Sequence, residues 1–240
     1  MTDNKKKERV EIITPEFKAR YSNLLVARKV NETDKKAKFS IQMLFQVKET
    51  EKSKKEGRVV VSLKPLKDAV AKILLEHLGA DWATKVKERK GDDSPKYKLP
   101  FRDGNAPDKR DKDGYGEGIE FMTASSEQMP GLVGPKAGPV DPTTGKSKPL
   151  PLENPEREFY GGCYARAIIN PYWFAFKNEK GTVISEGIAL GLNHVQKIRD
   201  GEPFSNRTAA VDAFAPIDEP EGATPAEGPA QTGDPLGAMR

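Results

Sequence analysis

Glu158–Phe176, EFYGGCYARAIINPYWFAF, decides the fold class. Period-two alternation places Tyr164, Arg166 and Ile168 on one face of an extended strand. Cys163, Ala165, Ala167 and Ile169 fall on the other. Asn170-Pro171 interrupts the run, because proline donates no ladder hydrogen bond, and predicts a bend or bulge there. Beyond it Tyr172, Phe174 and Phe176 alternate with Trp173 and Lys177. The turn Asn178-Glu-Lys-Gly181 leads into Thr182–Phe204, TVISEGIALGLNHVQKIRDGEPF, so the two stretches predict a long β-hairpin. Taken singly, each of these aromatics suits a core. Arg166 does not, because a charge inside such a strand needs water, an acidic partner or a ligand.

Upstream, Tyr21–Val30 and Lys38–Val47 read as two more strands, paired across the polar link Asn31–Ala37. In the second, Phe39, Ile41, Met43 and Phe45 share one face, opposite Ser40, Gln42 and Leu44. Glu49–Gly57 reads as a charged loop. Leu63–Leu78 predicts a helix with Leu66, Val70, Ile73, Leu74 and His77 on one side, Pro65 in its first turn and Gly79 at its end. Asp81–Arg89 suggests a second, with Trp82 and Val86 one turn apart. Lys90–Asp113 mixes Lys96, Lys98, Arg102, Lys109 and Arg110 with Tyr97 and Phe101, too polar for a core; it is either a flap over a groove or a solvated loop. Tyr115–Thr123 gives a strand. Leu132–Pro151 is a Pro/Gly-rich ribbon with a tip at Asp141-Pro-Thr-Thr-Gly145. The expected fold is mainly β with one or two helices.

At 240 residues the chain holds one sizeable domain with tails, or two small domains. No apolar run has the ~18 residues a membrane span needs, and MTDNKKKERV has no apolar signal-peptide segment. The single cysteine, Cys163, rules out an intramolecular disulfide and suits a reducing cytoplasm. Asp212–Arg240 carries six acids against Arg240, net −5, which leaves Met1–Val211 at +9 of the overall +4. A basic body with an acidic tail suits an anionic ligand. The expected organisation is a disordered basic tail over 1–13, a folded domain over 14–211 and a disordered acidic tail over 212–240.

Catalytic signatures are missing. His77 and His194 belong to no metal-ligand array. Gly145-Lys146-Ser147 falls short of a phosphate-binding loop, since Val140 stands where glycine is needed and Pro149 and Pro151 follow instead of a helix. Asp92-Asp93 and Asp108/Asp111/Asp113 are the acids a metal-dependent nuclease would use, but they are interleaved with lysines in a loop. No cofactor is expected.

EFYGGCYARAIINPYWFAF, with its Phe159–Ala167 core, and GIALGLNHVQKIRDGEPF over Gly187–Phe204 resemble a phage-type single-stranded-DNA-binding protein family, long catalogued as a domain of unknown function. TPEFKARYSNL over Thr14–Leu24 supports the resemblance more weakly. It implies an OB-fold, an OB-fold-like five-stranded barrel here with extended hairpins. It further implies a monomer or dimer that coats replicating or recombining DNA in the host cytoplasm. Its acidic tail would contact replication and recombination proteins.

The residues agree with that chemistry. Sequence-tolerant binding of a single strand needs cations for phosphates and rings for bases. The candidates are Lys96, Tyr97, Lys98, Phe101 and Arg102 in the hydrophilic stretch, then Tyr115, Tyr160, Tyr164, Arg166, Tyr172, Lys177, Lys197 and Arg199. A structural or assembly protein with a basic surface is the rival reading, and a nuclease using the loop aspartates is a third.

Overall fold

A computed structural model of the chain describes residues 10–29, 36–91 and 93–204. The expected acidic tail, most of the N-terminal tail, Arg207, Asp92 and most of the link after Tyr21–Val30 lie outside these residues. Within them the chain runs β1 (Ile12–Ile13), β2 (Phe17–Arg28), β3 (Lys38–Gln46), α1 (Glu51–Lys55), α2 (Lys64–Leu78), α3 (Trp82–Lys85), β4 (Tyr97–Lys98), β5 (Arg102–Asp103), β6 (Ile119–Ser126), β7 (Gly131–Val140), β8 (Ser147–Pro151), α4 (Pro155–Glu158), β9 (Tyr164–Lys177) and β10 (Val183–Arg199).

Five strands close on themselves. β2 pairs with β3, β3 with β6, β6 with β10, β10 with β9, and β9 returns to β2. All contacts are antiparallel except β6–β10, where Leu190 and Gly191 lie beside Ala124 and Ser125 in parallel. Taking the five in chain order, the ring runs first, second, third, fifth, fourth. The expected mainly β, OB-fold-like arrangement is therefore present as a five-stranded ring.

The long hairpin makes closure possible, since β9 and β10 each pair along two edges. Their ladder slips between Leu192 and His194, opposite Ile169 and Ile168. The interruption expected at Asn170-Pro171 is thus a bulge in the partner strand, at Asn193. Pro171 stays in register opposite Leu190. It lies past the last β1–β9 pair at Ile12 and Ile169, where β9 pairs on one edge only and a missing N–H is tolerated. The extra residue flips the side-chain alternation of β10. Ile188, Leu190 and Leu192 point inward before it and Val195 after it.

The expected inner face of β9 is inside: Cys163, Ala165, Ala167 and Ile169 are all buried. Ile41, Met43 and Phe45 of β3 and Phe17 and Ala19 of β2 meet them. The two alanines leave room for Phe17 and Phe45, whose rings meet edge to face at 5.5 Å. Leu66, Val70 and Leu74 of α2 pack into the same core, as their spacing predicts. Leu44, Tyr115, Ile119 and Phe121 form a second, smaller cluster with Phe204 packed on it. The opposite face of β3 is therefore buried at Leu44 too.

Four differences from the sequence reading have physical causes. The charged loop 49–57 contains α1, started by a reciprocal cap in which Thr50 Oγ1 accepts from the Ser53 N–H at 3.1 Å and Ser53 Oγ accepts from the Thr50 N–H at 2.9 Å. Pro155 opens the short α4, which had no apolar period to reveal it. Ile12-Ile13, assigned to the tail, pairs with β9 as β1. Part of the polar stretch 90–113 is docked: Tyr97 is buried and Phe101 packs against the core.

β4 reaches β10 because residue 187 is glycine. Gly187 has φ +149°, and a Cβ there would sit 2.0 Å from the Lys98 carbonyl oxygen. Gly187→Ala is expected to undock β4 and lower stability by about 1–3 kcal/mol, read as a lower Tm with the far-UV spectrum of the ring retained. Burial pushes the Cys163 thiol up to about 11. Its raised value means the folded state holds this proton more tightly. That contribution is present below pH 9 and is lost as pH rises through about 11. Cys163 should resist a thiol reagent at pH 8 and react in denaturant; equal rates in both would contradict its burial.

Candidate nucleic-acid interface

Past the ring, β9 and β10 continue as an arm, with β4 along the other edge of β10 at Glu186 and Gly187. Alternation puts Tyr172, Phe174 and Phe176 on the outward face. Tyr172 is 41% and Phe176 61% exposed, and the Phe174 and Phe176 rings lie 5.3 Å apart. Lys177, the last residue of β9 and on the Trp173 side by alternation, is exposed. Desolvation by partial burial raises the pKa of the Tyr172 hydroxyl, with Glu127 acting in the same direction. Trp173 points the other way. Its ring stacks on His77 at 4.7 Å and lies 6.0 Å from Tyr97, tying the arm to α2 and β4. A cavity of about 660 Å³ opens beside the base of the arm, between Asn170, Tyr172, Trp173, Asn193, Ser125 and His77.

Other expected residues are committed to the protein itself. Tyr164 faces outward but is only 4% exposed. The Arg199 guanidinium lies 3.5 Å from its ring centre, and burial raises its hydroxyl pKa. Arg199 in turn donates to Glu16 at 2.6 Å and to the Gly57 carbonyl at 3.1 Å. Lys197 is buried, pairs with Asp200 at 2.7 Å and sits 5.4 Å from the Tyr160 ring. The Tyr160 hydroxyl donates to Asp200 at 3.0 Å or to the Gly201 carbonyl at 2.9 Å. Tyr160, Tyr164, Lys197 and Arg199 thus latch the chain as it leaves β10.

Lys96 pairs with Glu88 at 2.6 Å and lies 5.3 Å from the ring of Tyr97, itself 8% exposed. Phe101 is half-buried below Lys67, at 5.5 Å. Tyr115 is 2% exposed and donates to Gln42. Lys98, Arg102 and Arg166 are exposed, and Arg166 Nε donates to Gln196 at 2.8 Å. The thirteen residues are therefore spread over the arm, the β4–β5 strip, the outer cluster and the latch. Five of them, Lys98, Arg102, Arg166, Tyr172 and Lys177, present an exposed side chain.

Sequence reasoning omitted Phe174 and Phe176 from the candidates, although they share the parity of Tyr172. It also passed over Arg20, Tyr21 and Phe204. Arg20 lies 4.7 Å from the Tyr21 ring and 5.0 Å from those of Tyr115 and Phe204. No periodicity signals a contact between residues so far apart in the chain. Two of the loop aspartates lie against neighbouring cations: Asp108 pairs with Lys109 at 2.8 Å and Asp111 lies 3.8 Å from Arg110. Among the described residues no group of three or more His, Cys, Asp or Glu converges, and no helix is long and apolar enough to cross a membrane.

Comparison with known proteins gives four findings. A protein-family model described as Enterobacter phage Enc34, ssDNA-binding protein, matches residues 10–224. The solved single-stranded DNA-binding protein from bacteriophage Enc34, in complex with ssDNA, is 20% identical with a TM-score of 0.52, over 81% of this chain and 89% of that one. Its C-terminally truncated form is 20% identical with a TM-score of 0.51, over 80% and 87%. At that identity the two structures speak for the fold. No curated protein sequence matches. The family match spans the ring, the arm and the latch, so the chain belongs to the Enterobacter phage Enc34 ssDNA-binding protein family.

Proposed function

We propose that this protein binds single-stranded DNA, tolerant of sequence and without catalysis, in phage replication or recombination in the host cytoplasm. Family membership supports the ligand. The observation that carries the mechanism is the row Tyr172, Phe174 and Phe176 on the outer face of the arm, whose strand ends at the exposed Lys177. The backbone positions of side chains two residues apart on one strand face stand about 6–7 Å apart. Exposed rings at that interval offer successive platforms for unpaired bases, and every base has a face to stack. The exposed cations Lys98, Arg102, Arg166 and Lys177 supply charge for phosphates. The body over 14–211 is the binding unit in this reading. The acidic segment 212–240, at −5, competes for the basic surface and docks replication or recombination proteins.

The experiment is a titration of labelled oligo-dT, duplex DNA and RNA at several salt concentrations, with and without magnesium. Preference for the single strand with no product formed is expected. Product formed with magnesium would replace this reading with a nuclease. Log affinity should fall linearly with log salt, by about 0.7 per phosphate contacted.

Tyr172→Ala and Phe176→Ala should each weaken oligo-dT binding by about 1–3 kcal/mol, on the order of 5- to 150-fold, with an unchanged Tm. Tyr164→Ala, which removes a buried ring from the latch, should instead lower Tm. Unaltered affinity in both arm variants would move the base-stacking surface elsewhere.

A further inference from the structure

Arg20 is the cation that the fold places most unusually. It lies on β2 opposite Gln42 of β3, beside a bulge in which the register jumps from Arg20/Gln42 to Asn23/Ser40. Tyr21, inside the bulge, has φ +44°, a left-handed conformation that costs a non-glycine residue about 1–2 kcal/mol. That turn lays the Tyr21 ring back against Arg20, and Arg20 Nη2 donates to the Tyr21 hydroxyl at 3.1 Å. The bond holds the Tyr21 hydroxyl below its ordinary pKa, with Lys109 and Lys112 adding positive charge nearby. Tyr115 and Phe204 supply the other two rings.

Among the described residues the remaining donors have no acceptor. Arg20 Nε and Nη1 are buried without a hydrogen-bond partner. The amide oxygen of Gln42, the cross-strand neighbour, is taken by the Tyr115 hydroxyl. Glu56 lies 3.8 Å from Lys18 and 2.6 Å from Arg58, and Glu16 binds Arg199, so both serve other cations. A guanidinium fork that is desolvated, held flat by rings and left without an anion is a costly arrangement unless an anion arrives. Nη2 keeps one hydrogen besides the one given to Tyr21, and with Nε or Nη1 beside it forms a fork that matches two phosphate oxygens at once.

The cover is Phe204. Its ring lies on both Arg20 and Lys18, and its backbone N–H donates to the Gly161 carbonyl at 3.0 Å. It also closes over Gly114, where a Cβ would come within 2.5 Å of the ring. Arg20, Leu44 and Phe121 lie on the outer side of β2, β3 and β6. An OB-fold binds oligonucleotides on the face of its second and third strands; here these are β3 and β6, and Arg20 lies beside β3 on the first strand, β2.

We propose that Arg20 is a phosphate-binding residue for the single strand, and that Phe204 covers its fork until a phosphodiester of the bound strand displaces the ring. This rests on the single-stranded-DNA reading above. It assigns that reading a contact on the ring itself, apart from the arm.

The test compares wild type, Arg20→Met, Arg20→Lys and Phe204→Ala by anisotropy with oligo-dT across a salt series, with Tm measured for each. Methionine keeps the apolar stem and removes an unpaired buried charge, so the fold should persist. Arg20→Met is expected to weaken binding about tenfold at low salt and to lower the log–log salt slope by about 0.7. Arg20→Lys should keep the slope while binding less tightly than wild type, because a point charge replaces the fork. Phe204→Ala should tighten binding in the wild-type background and have no effect beside Arg20→Met. An oligo-dT with neutral methylphosphonate linkages should bind wild type and Arg20→Met equally. If wild type binds oligo-dT while Arg20→Met has the same affinity and slope, the assignment of Arg20 fails and the single-stranded-DNA reading stands. If wild type binds no single strand, that reading itself fails.

Discussion

The pairing of β9 with β10 is the constraint on which the rest depends. Both strands run well beyond the length a hairpin needs, and each uses its second edge to close the ring, β9 onto β2 and β10 onto β6. A ladder of constant alternation would keep one face of β10 inward throughout. The bulge at Asn193 reverses it, so Leu192 and Val195 both reach the core although they are three residues apart. Without that reversal either Val195 or Leu192 would face outward. The same pair, freed from the ring, becomes the arm, so one hairpin sets both the core and the exposed aromatic row.

What distinguishes the cations is whether the fold supplies a counter-charge. Arg199, Lys197 and Lys96 are each within 2.7 Å of a carboxylate. The partly buried Arg199–Glu16 pair fastens the end of β10 to the segment before β2, and Tyr164 fills the space below. Exposed pairs such as Lys36–Glu127 contribute little to stability in water. Arg20 belongs to neither group: rings surround it, and among the described residues its Nε and Nη1 have no partner. A positive net charge on the body therefore says less about an anionic ligand than the few cations that remain uncompensated.

The outer cluster around Leu44, Tyr115 and Phe121 shows why a ring of this size is buried on both sides in places. Gly104 and Gly114 let the loop before β6 lie directly on the strands, where a Cβ would come within 2.8 Å of Ile119 or 2.5 Å of Phe204. This close approach makes β3 two-sided, with Met43 in the main core and Leu44 beneath the loop. Tyr115, with its hydroxyl satisfied by Gln42, is part of that cover.

The sequence by itself determined the five ring strands, the one long helix, the inner face of β9 and the family. Each is written in local order: period-two alternation, a 3.6-residue apolar stripe bounded by Pro65 and Gly79, and two motifs around Cys163 and His194. It also carried the aromatic row of the arm, since Phe174 and Phe176 share the parity of Tyr172. Only the tertiary structure decided which outward side chains stay open. Tyr164 and Arg166 share a strand face, yet Arg199 covers the first and solvent reaches the second, because β10 ends beside Tyr164. Arg20 was equally illegible. Its environment is made by Tyr115 and Phe204, residues far away in the chain, and by a left-handed turn at Tyr21 that no residue preference announces. Alternation fixes the side of a strand on which a residue lies; ring closure and loop docking fix what lies against it.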